Sequence, residues 1–257
     1  MSARSFTKIA LTLSILLLVD YSAALAQKAD KTVVITQIGQ GLGTTKTYIN
    51  RRAIKVVILG STTYLVARAP KWQVMFCNDE NRKALSMPLA EWLKHDTYTT
   101  YAGKEWDRFV LTLSPPRDVK KFGRPVKFYK IVGAFKAGHV MPCKRMPNGD
   151  YYVLPDMNVA SQALGIMQKA LNCPGTASGI PLELTKREPD KEMKAFMSTP
   201  GGDEHMLCTD KIEEIVVPDS FFVYPKNYAQ AKLEVTVLND DKRRNRVDDV
   251  AKDLIQD

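Results

Sequence analysis

The sequence predicts an α+β protein that is mainly β, an antiparallel meander packed around one or two helices. Short β-branched and aromatic runs recur about every ten residues, separated by Gly, Pro and Asn turns. A single internal stretch, Asp156 to Leu171, sustains a helical period. With 45% apolar and 25% charged residues the chain is of ordinary globular composition. That excludes a disordered tail, a collagen-like repeat and a polytopic membrane protein.

The first segment is not part of the scaffold. Arg4 and Lys8 precede an apolar run from Ile9 to Val19, and Ala24-Leu25-Ala26 forms a small-x-small cleavage site before Gln27. The run of 11 residues is too short to span a hydrocarbon layer of ~30 Å as a helix. Residues 1–26 therefore read as a secretory signal peptide, and the protein is expected to be periplasmic or extracellular. Its removal takes two cations and Asp20, leaving 231 residues with 35 cationic against 27 acidic side chains. No later apolar run is long enough for a transmembrane helix, so no transmembrane segment is expected in the mature chain.

The scaffold is expected as one domain over residues 27–238. Lys31–Ile38 is a β-branched strand ending at the turn Gly39–Gly43. That glycine cluster lacks the spacing of a dinucleotide or phosphate loop and precedes no helical pattern. Thr47–Asn50, Ala53–Leu59, Thr62–Ala67, Gln73–Asn78 and Lys83–Met87 continue the meander, and Pro88 opens a short helix through His95. Strands are expected at Trp106–Ser114 and Val126–Phe135. Pro115-Pro116 and Lys120-Lys121-Phe122-Gly123 serve as the connection between them. Asn148-Gly149 reads as a hairpin tip, with Tyr151–Leu154 as the returning strand.

In the helix Asp156–Leu171, Met157, Ala160, Leu164, Met167 and Leu171 form one stripe, widened by Val159, Ala163, Ile166 and Ala170. So wide a stripe implies burial against a concave sheet. Strands resume at Ile180–Lys186, Leu207–Val217 and Gln230–Leu238. Residues 239–257 read as a charged C-terminal helix in which Lys242, Arg243, Arg244 and Arg246 are offset by neighbouring aspartates.

Cys77, Cys143, Cys173 and Cys208 make an even count, which in an exported protein argues for two disulfides with three possible pairings. Cys143–Cys173 with Cys77–Cys208 is the preferred set, because the first two bracket one hairpin-plus-helix unit. His139 with Cys143 and His205 with Cys208 give Cys₂His₂ stoichiometry, but not the tight spacings of structural zinc sites. No metal and no cofactor are expected.

Catalytic patterns are missing: there is no GxSxG elbow, HExxH or EF-hand loop, and the three histidines are scattered. Glu213 and Glu214 alternate along a strand and cannot share a substrate. A non-enzymatic protein is expected. Trp72, Phe76, Trp92, Trp106, Phe109, Phe128 and Phe135 can line a pocket in a curved sheet, with Leu164 and Met167 facing it from the helix. The positive charge suits anionic envelope lipids or glycans, and export removes the chain from nucleic acid.

The order of motifs resembles a known family. Thr47-Tyr48-Ile49 with Ala53-Ile54-Lys55-Val56, then Tyr64-Leu65-Val66 and Trp72-Gln73-Val74-Met75-Phe76, look like its early strands, followed by a turn and Pro88-Leu89. Gly179-Ile180-Pro181-Leu182-Glu183-Leu184 and Val217-Pro218-Asp219-Ser220-Phe221-Phe222, with Pro225 and Tyr228, are similar to its C-terminal half. The family is the periplasmic outer-membrane lipoprotein-carrier superfamily with its related exported proteins. The resemblance implies an unclosed antiparallel β half-barrel wrapped around one or two helices, whose concave face shelters an acyl chain or another apolar ligand without cofactor. The carrier's functional arginine has no counterpart here. That points to a lipid-sheltering or envelope-associated relative. Two rivals are an envelope interaction protein with a filled concavity and a cysteine- or metal-dependent enzyme.

Overall fold

The computed structural model describes residues 30–39, 42–95, 109–135, 148–155, 157–175, 177–187 and 204–238. The strands are β1 (Lys31–Gly39), β2 (Gly43–Ile49), β3 (Ala53–Ile58), β4 (Thr63–Arg68), β5 (Val74–Asn78) and β6 (Lys83–Met87), followed by β7 (Phe109–Leu113), β8 (Arg117–Lys121), β9 (Arg124–Phe135), β10 (Asn148–Leu154), β11 (Ile180–Arg187), β12 (Glu204–Val216) and β13 (Ala229–Gln230). Three α-helices accompany them among the described residues, α1 (Leu89–Lys94), α2 (Ser161–Ala170) and α3 (Glu234–Leu238).

These strands belong to one unclosed sheet in the order β13-β6-β5-β4-β3-β2-β1-β12-β11-β10-β9-β7, with β8 paired to β9. The protein is thus an α+β, mainly β half-barrel around helices. Consecutive strands pair antiparallel from β1 to β6 and from β9 to β12. The two meanders meet where β1 pairs β12 antiparallel from Lys31↔Val216 to Gly39↔Leu207. Helix α2 touches both β3 and β11, which lie four strand spacings apart, about 19 Å in a flat sheet. One ten-residue helix meets both because the sheet curls around it.

The inner face, defined by α1 and α2, carries the main core, including Ile35, Ile49, Ile54, Leu65, Leu182 and Leu207. The outer face of β3–β6 is covered by the chain itself. After β12, Pro218 and a 3₁₀ turn at Asp219–Phe222 lead a strap across it. Phe222 packs with Ala53 and Val217, and the Phe221 ring lies 4.6 Å from that of Tyr48. The Tyr224 hydroxyl donates to Gln73 O at 2.8 Å and accepts from Arg68 N at 3.1 Å. Asp30 pairs with Arg51 and Arg52, and Arg52 also reaches Asp219 in the strap. The strap then pairs β13 parallel to β6 and turns back through α3, where the Asn78 and Asn81 amides both donate to Val237 O.

Several expected elements change on folding. The connection expected at residues 115–123 contains β8, whose Phe122-Gly123 turn leads directly into β9. Asn148-Gly149 is no hairpin tip; both residues pair with β9 on one side and β11 on the other. The glycine is needed for close approach, because a Cβ there would collide with the Thr185 carbonyl. Helix α2 begins at Ser161, not Asp156, and the strand expected at Gln230–Leu238 shrinks to β13 followed by α3. The signal peptide and the charged C-terminal helix lie outside the described residues. The preferred Cys143–Cys173 bridge is corrected: Cys143 lies outside the described residues, but the thiol of Cys173 is free.

The pairing Cys77–Cys208 is corrected: both thiols are free, as is that of Cys173. Cys77 on β5 and Cys208 on β12 are five strand spacings apart along the sheet, whereas a disulfide needs Cα atoms within about 7 Å.

Gly149→Ala tests the β10–β11 approach. The substitution forces the two backbones apart and is expected to cost about 1–3 kcal/mol in urea unfolding. An unchanged midpoint would mean that the strands separate freely there.

Candidate functional site

The site is built on the inner face. Val33, Ile35 and Gln37 alternate inward along β1, as do Thr45, Thr47 and Ile49 along β2. Register places Gln37 opposite Thr45 and Ile35 opposite Thr47. On the far side of β1, Gln37 faces Thr209. Where β2, β1 and β12 run side by side the inner face thus carries a polar group of four, Gln37, Thr45, Thr47 and Thr209, all buried.

Only part of this group is satisfied. The Gln37 amide donates to Pro181 O at 2.8 Å and to Thr209 Oγ1 at 2.9 Å, and Thr209 Oγ1 donates to Leu182 O at 2.6 Å. Gln37 Oε1 and Thr47 Oγ1 have no hydrogen-bond partner among the described residues.

The cover is apolar and short. Helix α1 starts after Pro88 and buries one side chain, Trp92, which is 3% exposed. Helix α2 turns Ala163, Ile166, Met167 and Ala170 inward and packs against α1. Gly165 of α2 faces Leu93 of α1 closely enough that an added Cβ would just touch its Cδ2, at 3.6 Å. Trp92 Nε1 and the Tyr151 hydroxyl are also buried without a hydrogen bond among the described residues.

Of the ligand-lining residues expected from sequence, Trp72, Phe76, Trp92 and Met167 are gathered in this one core, with Leu164 half-buried against it. They fill the space between sheet and helices. Trp106 lies outside the described residues, as do the side chains of Phe109 and Phe135. The backbone of Phe109 begins β7, at the opposite end of the strand order from β5 and β6. Phe128 instead stacks near Tyr152, with ring centroids 5.1 Å apart. Gln37, Thr45, Thr47 and Thr209 belong to no motif and escape a reading of the sequence. The available signal is polarity at core parity, as in Val33-x-Ile35-x-Gln37 and Thr45-x-Thr47-x-Ile49.

The outer face holds a second group of polar side chains under the strap. Lys55 Nζ lies 4.4 Å from the Tyr64 ring centroid and 4.5 Å from that of Phe221, and donates to Phe221 O at 3.4 Å. Burial lowers its pKa. Beneath it Cys77, fully buried beside Tyr64, is pushed up to about 12 by desolvation. Cys173, with its sulfur against Tyr151, is likewise pushed up to about 12. Both thiols are protonated at neutral pH, so neither is a ready nucleophile. Glu213 and Glu214 are engaged separately, with Lys211 and Arg124 at 2.8 Å each.

No family model and no curated protein matches the chain. Among solved structures it is similar to an uncharacterized conserved protein from Thermus thermophilus, at 13% identity over 79% of this chain and 91% of that one, with a TM-score of 0.37. That similarity is too low to carry an argument about fold or function.

The two thiols make stability depend on alkaline pH. In the unfolded chain they release protons near pH 9, whereas the folded protein holds them to about 12. The thiols' contribution should be level between pH 7 and about pH 8 and fall between pH 9 and 12, by up to ~1.4 kcal/mol per pH unit for each thiol. Lys55, shifted the opposite way, offsets part of the fall. Urea unfolding from pH 7 to 11 should show this loss, and Cys77→Ala and Cys173→Ala should each flatten it. A level profile in the parent protein would overturn the assignment.

Proposed function

We propose that this is an exported, non-catalytic carrier that shelters an acyl chain, or another apolar ligand with one polar end, on the inner face of its half-barrel. The observation that carries this reading is the presence of unpaired buried polar atoms, Gln37 Oε1 and Thr47 Oγ1, beside the main apolar core of the inner face. Leaving such a group unsatisfied costs about 1–3 kcal/mol, and a ligand's polar end offsets that deficit. The apolar remainder takes the chain: eight buried methylenes contribute about 6 kcal/mol before the costs of binding.

The cover must move for a ligand to enter. Helices α1 and α2 are short and meet the sheet through apolar side chains, Trp92, Ile166 and Met167 among them. Such contacts are non-directional and can be exchanged for contacts with an acyl chain. The protonated states of Cys77 and Cys173 favour a role without covalent chemistry.

A second reading is an envelope interaction protein whose interior is permanently filled. It is favoured by the burial of Trp72, Phe76, Trp92 and Met167 in one core. The two readings separate on a titration with a fluorescent sixteen-carbon fatty acid. The carrier reading expects saturable one-to-one uptake, accompanied by a change in tryptophan emission. Thr47→Val removes an unpaired hydroxyl while keeping the shape. It should stabilise the free protein by about 1 kcal/mol and weaken fatty-acid binding severalfold. Folded protein that takes up no fatty acid would favour the filled interior instead.

A further inference from the structure

The β8–β9 hairpin carries a feature that neither the scaffold nor the inner face requires. Residues 117–130 include Arg117, Lys120, Lys121, Arg124, Lys127 and Lys130 against one acid, Asp118. Three of these cations are tied within the fold: Lys121 to Glu183, Arg124 to Glu214 at 2.8 Å, and Lys127 to Asp118 at 2.6 Å. Arg117, Lys120 and Lys130 are exposed and form no ion pair among the described residues. They add positive charge to one edge of the sheet, since among the described residues β8 pairs only with β9.

The turn is stranger than the charge. Lys121 and Arg124 form the last pair, so the loop is the two residues Phe122 and Gly123, with φ of 53° and 70°. Two positive φ values define a tight turn that favours Asn or Gly at its first position, where a bulky aromatic residue is strained. Phe122 is nevertheless 39% exposed, and its ring has the Lys121 ammonium 5.9 Å away. Lysines along a sheet edge are explained by the need to block edge-to-edge pairing. That need does not explain a solvent-facing phenylalanine at the apex of the hairpin, in a conformation that opposes it.

We infer that the β8–β9 hairpin is a docking element for anionic lipid surfaces, with Phe122 entering the interface and Arg117, Lys120 and Lys130 engaging the headgroup charge. A convex two-residue apex suits a broad, deformable surface; a nucleic-acid strand would need a groove in which bases stack. An exposed aromatic residue among cations combines burial of apolar area with electrostatic attraction, and membrane attachment needs both. The inference stands apart from the acyl-chain site, since it uses no residue of the inner face.

The test is flotation of the full-length mature protein with vesicles of phosphatidylcholine containing 30 mol% phosphatidylglycerol, against vesicles of pure phosphatidylcholine. Binding is expected to the first, to be lost in 0.5 M NaCl, and to be at least tenfold weaker on the second. Replacing Lys120, beside the apex, by Gln should lower the partition coefficient about fivefold, and the same change at Arg117 or Lys130, farther along the hairpin, should lower it less. Phe122→Asn gives a readout that a structural role would not. Asn suits the turn, so thermal stability should hold or rise while vesicle binding falls severalfold. Monomeric fatty-acid uptake should be unchanged in all four variants, which separates this inference from the carrier reading. Equal binding to both vesicle types, no binding to either, or wild-type binding by folded Phe122→Asn would each overturn it.

Discussion

The pairing of β1 with β12 is the interaction on which the rest of the molecule depends. It joins the first described strand to one that begins more than 160 residues later, and among the described residues it is the only ladder connecting the two meanders. Each meander alone would be a strip of strands with two open edges and one half of an apolar face. Together they make a sheet wide enough to curl, and the curl gives α2 two sides to touch. β1 accordingly is apolar on both faces, with Val33 and Ile35 turned inward and Val34 buried on the other side.

An unclosed sheet has to manage its edges, and this chain treats its two ends differently. At β6 the backbone covers its own edge: β13 adds a short parallel pair, and the strap residues Phe221, Tyr224 and Tyr228 cover the adjoining outer surface. Lys55, held between the Tyr64 and Phe221 rings, pins strap to sheet through its cation–π contacts and one carbonyl bond. At the other end the defence is charge, carried by the basic β8–β9 hairpin. Backbone coverage leaves little to interact with; an exposed charged hairpin remains available to a partner.

The inner face departs from an ordinary core in one respect. A fold stabilised only by packing gains nothing from Gln37 Oε1 or Thr47 Oγ1 buried unpaired. Their neighbours Thr45 and Thr209 are satisfied on the same sheet, each donating to a backbone carbonyl. In the carrier reading, polar atoms at core parity under a cover of short helices mark a site that exchanges its filling.

Local information determined much of this protein. The β-branched runs of β1 and β3–β6, the helix start after Pro88 and the apolar circumference of α2 are consequences of spacing and side-chain type, and they are legible as such. Phe76, Trp92 and Met167 are also legible as companions, because each lies at an inward position of its own element, whereas Trp72 joins them from the turn before β5. Tertiary structure alone decided the remainder. Asn148-Gly149 reads as a turn until β11 comes near enough to require a residue without a Cβ. Residues 230–238 have strand composition, yet most form a helix, because only two residues of this segment's approach pair with β6. Cys77 and Cys208 suggest a bridge by count, but their strands stand five spacings apart in the sheet. The unpaired state of Gln37 and Thr47 exists only once β1, β2 and β12 lie side by side. Hydrogen-bond satisfaction and thiol separation are properties of distance in space, and no periodicity along a chain encodes them.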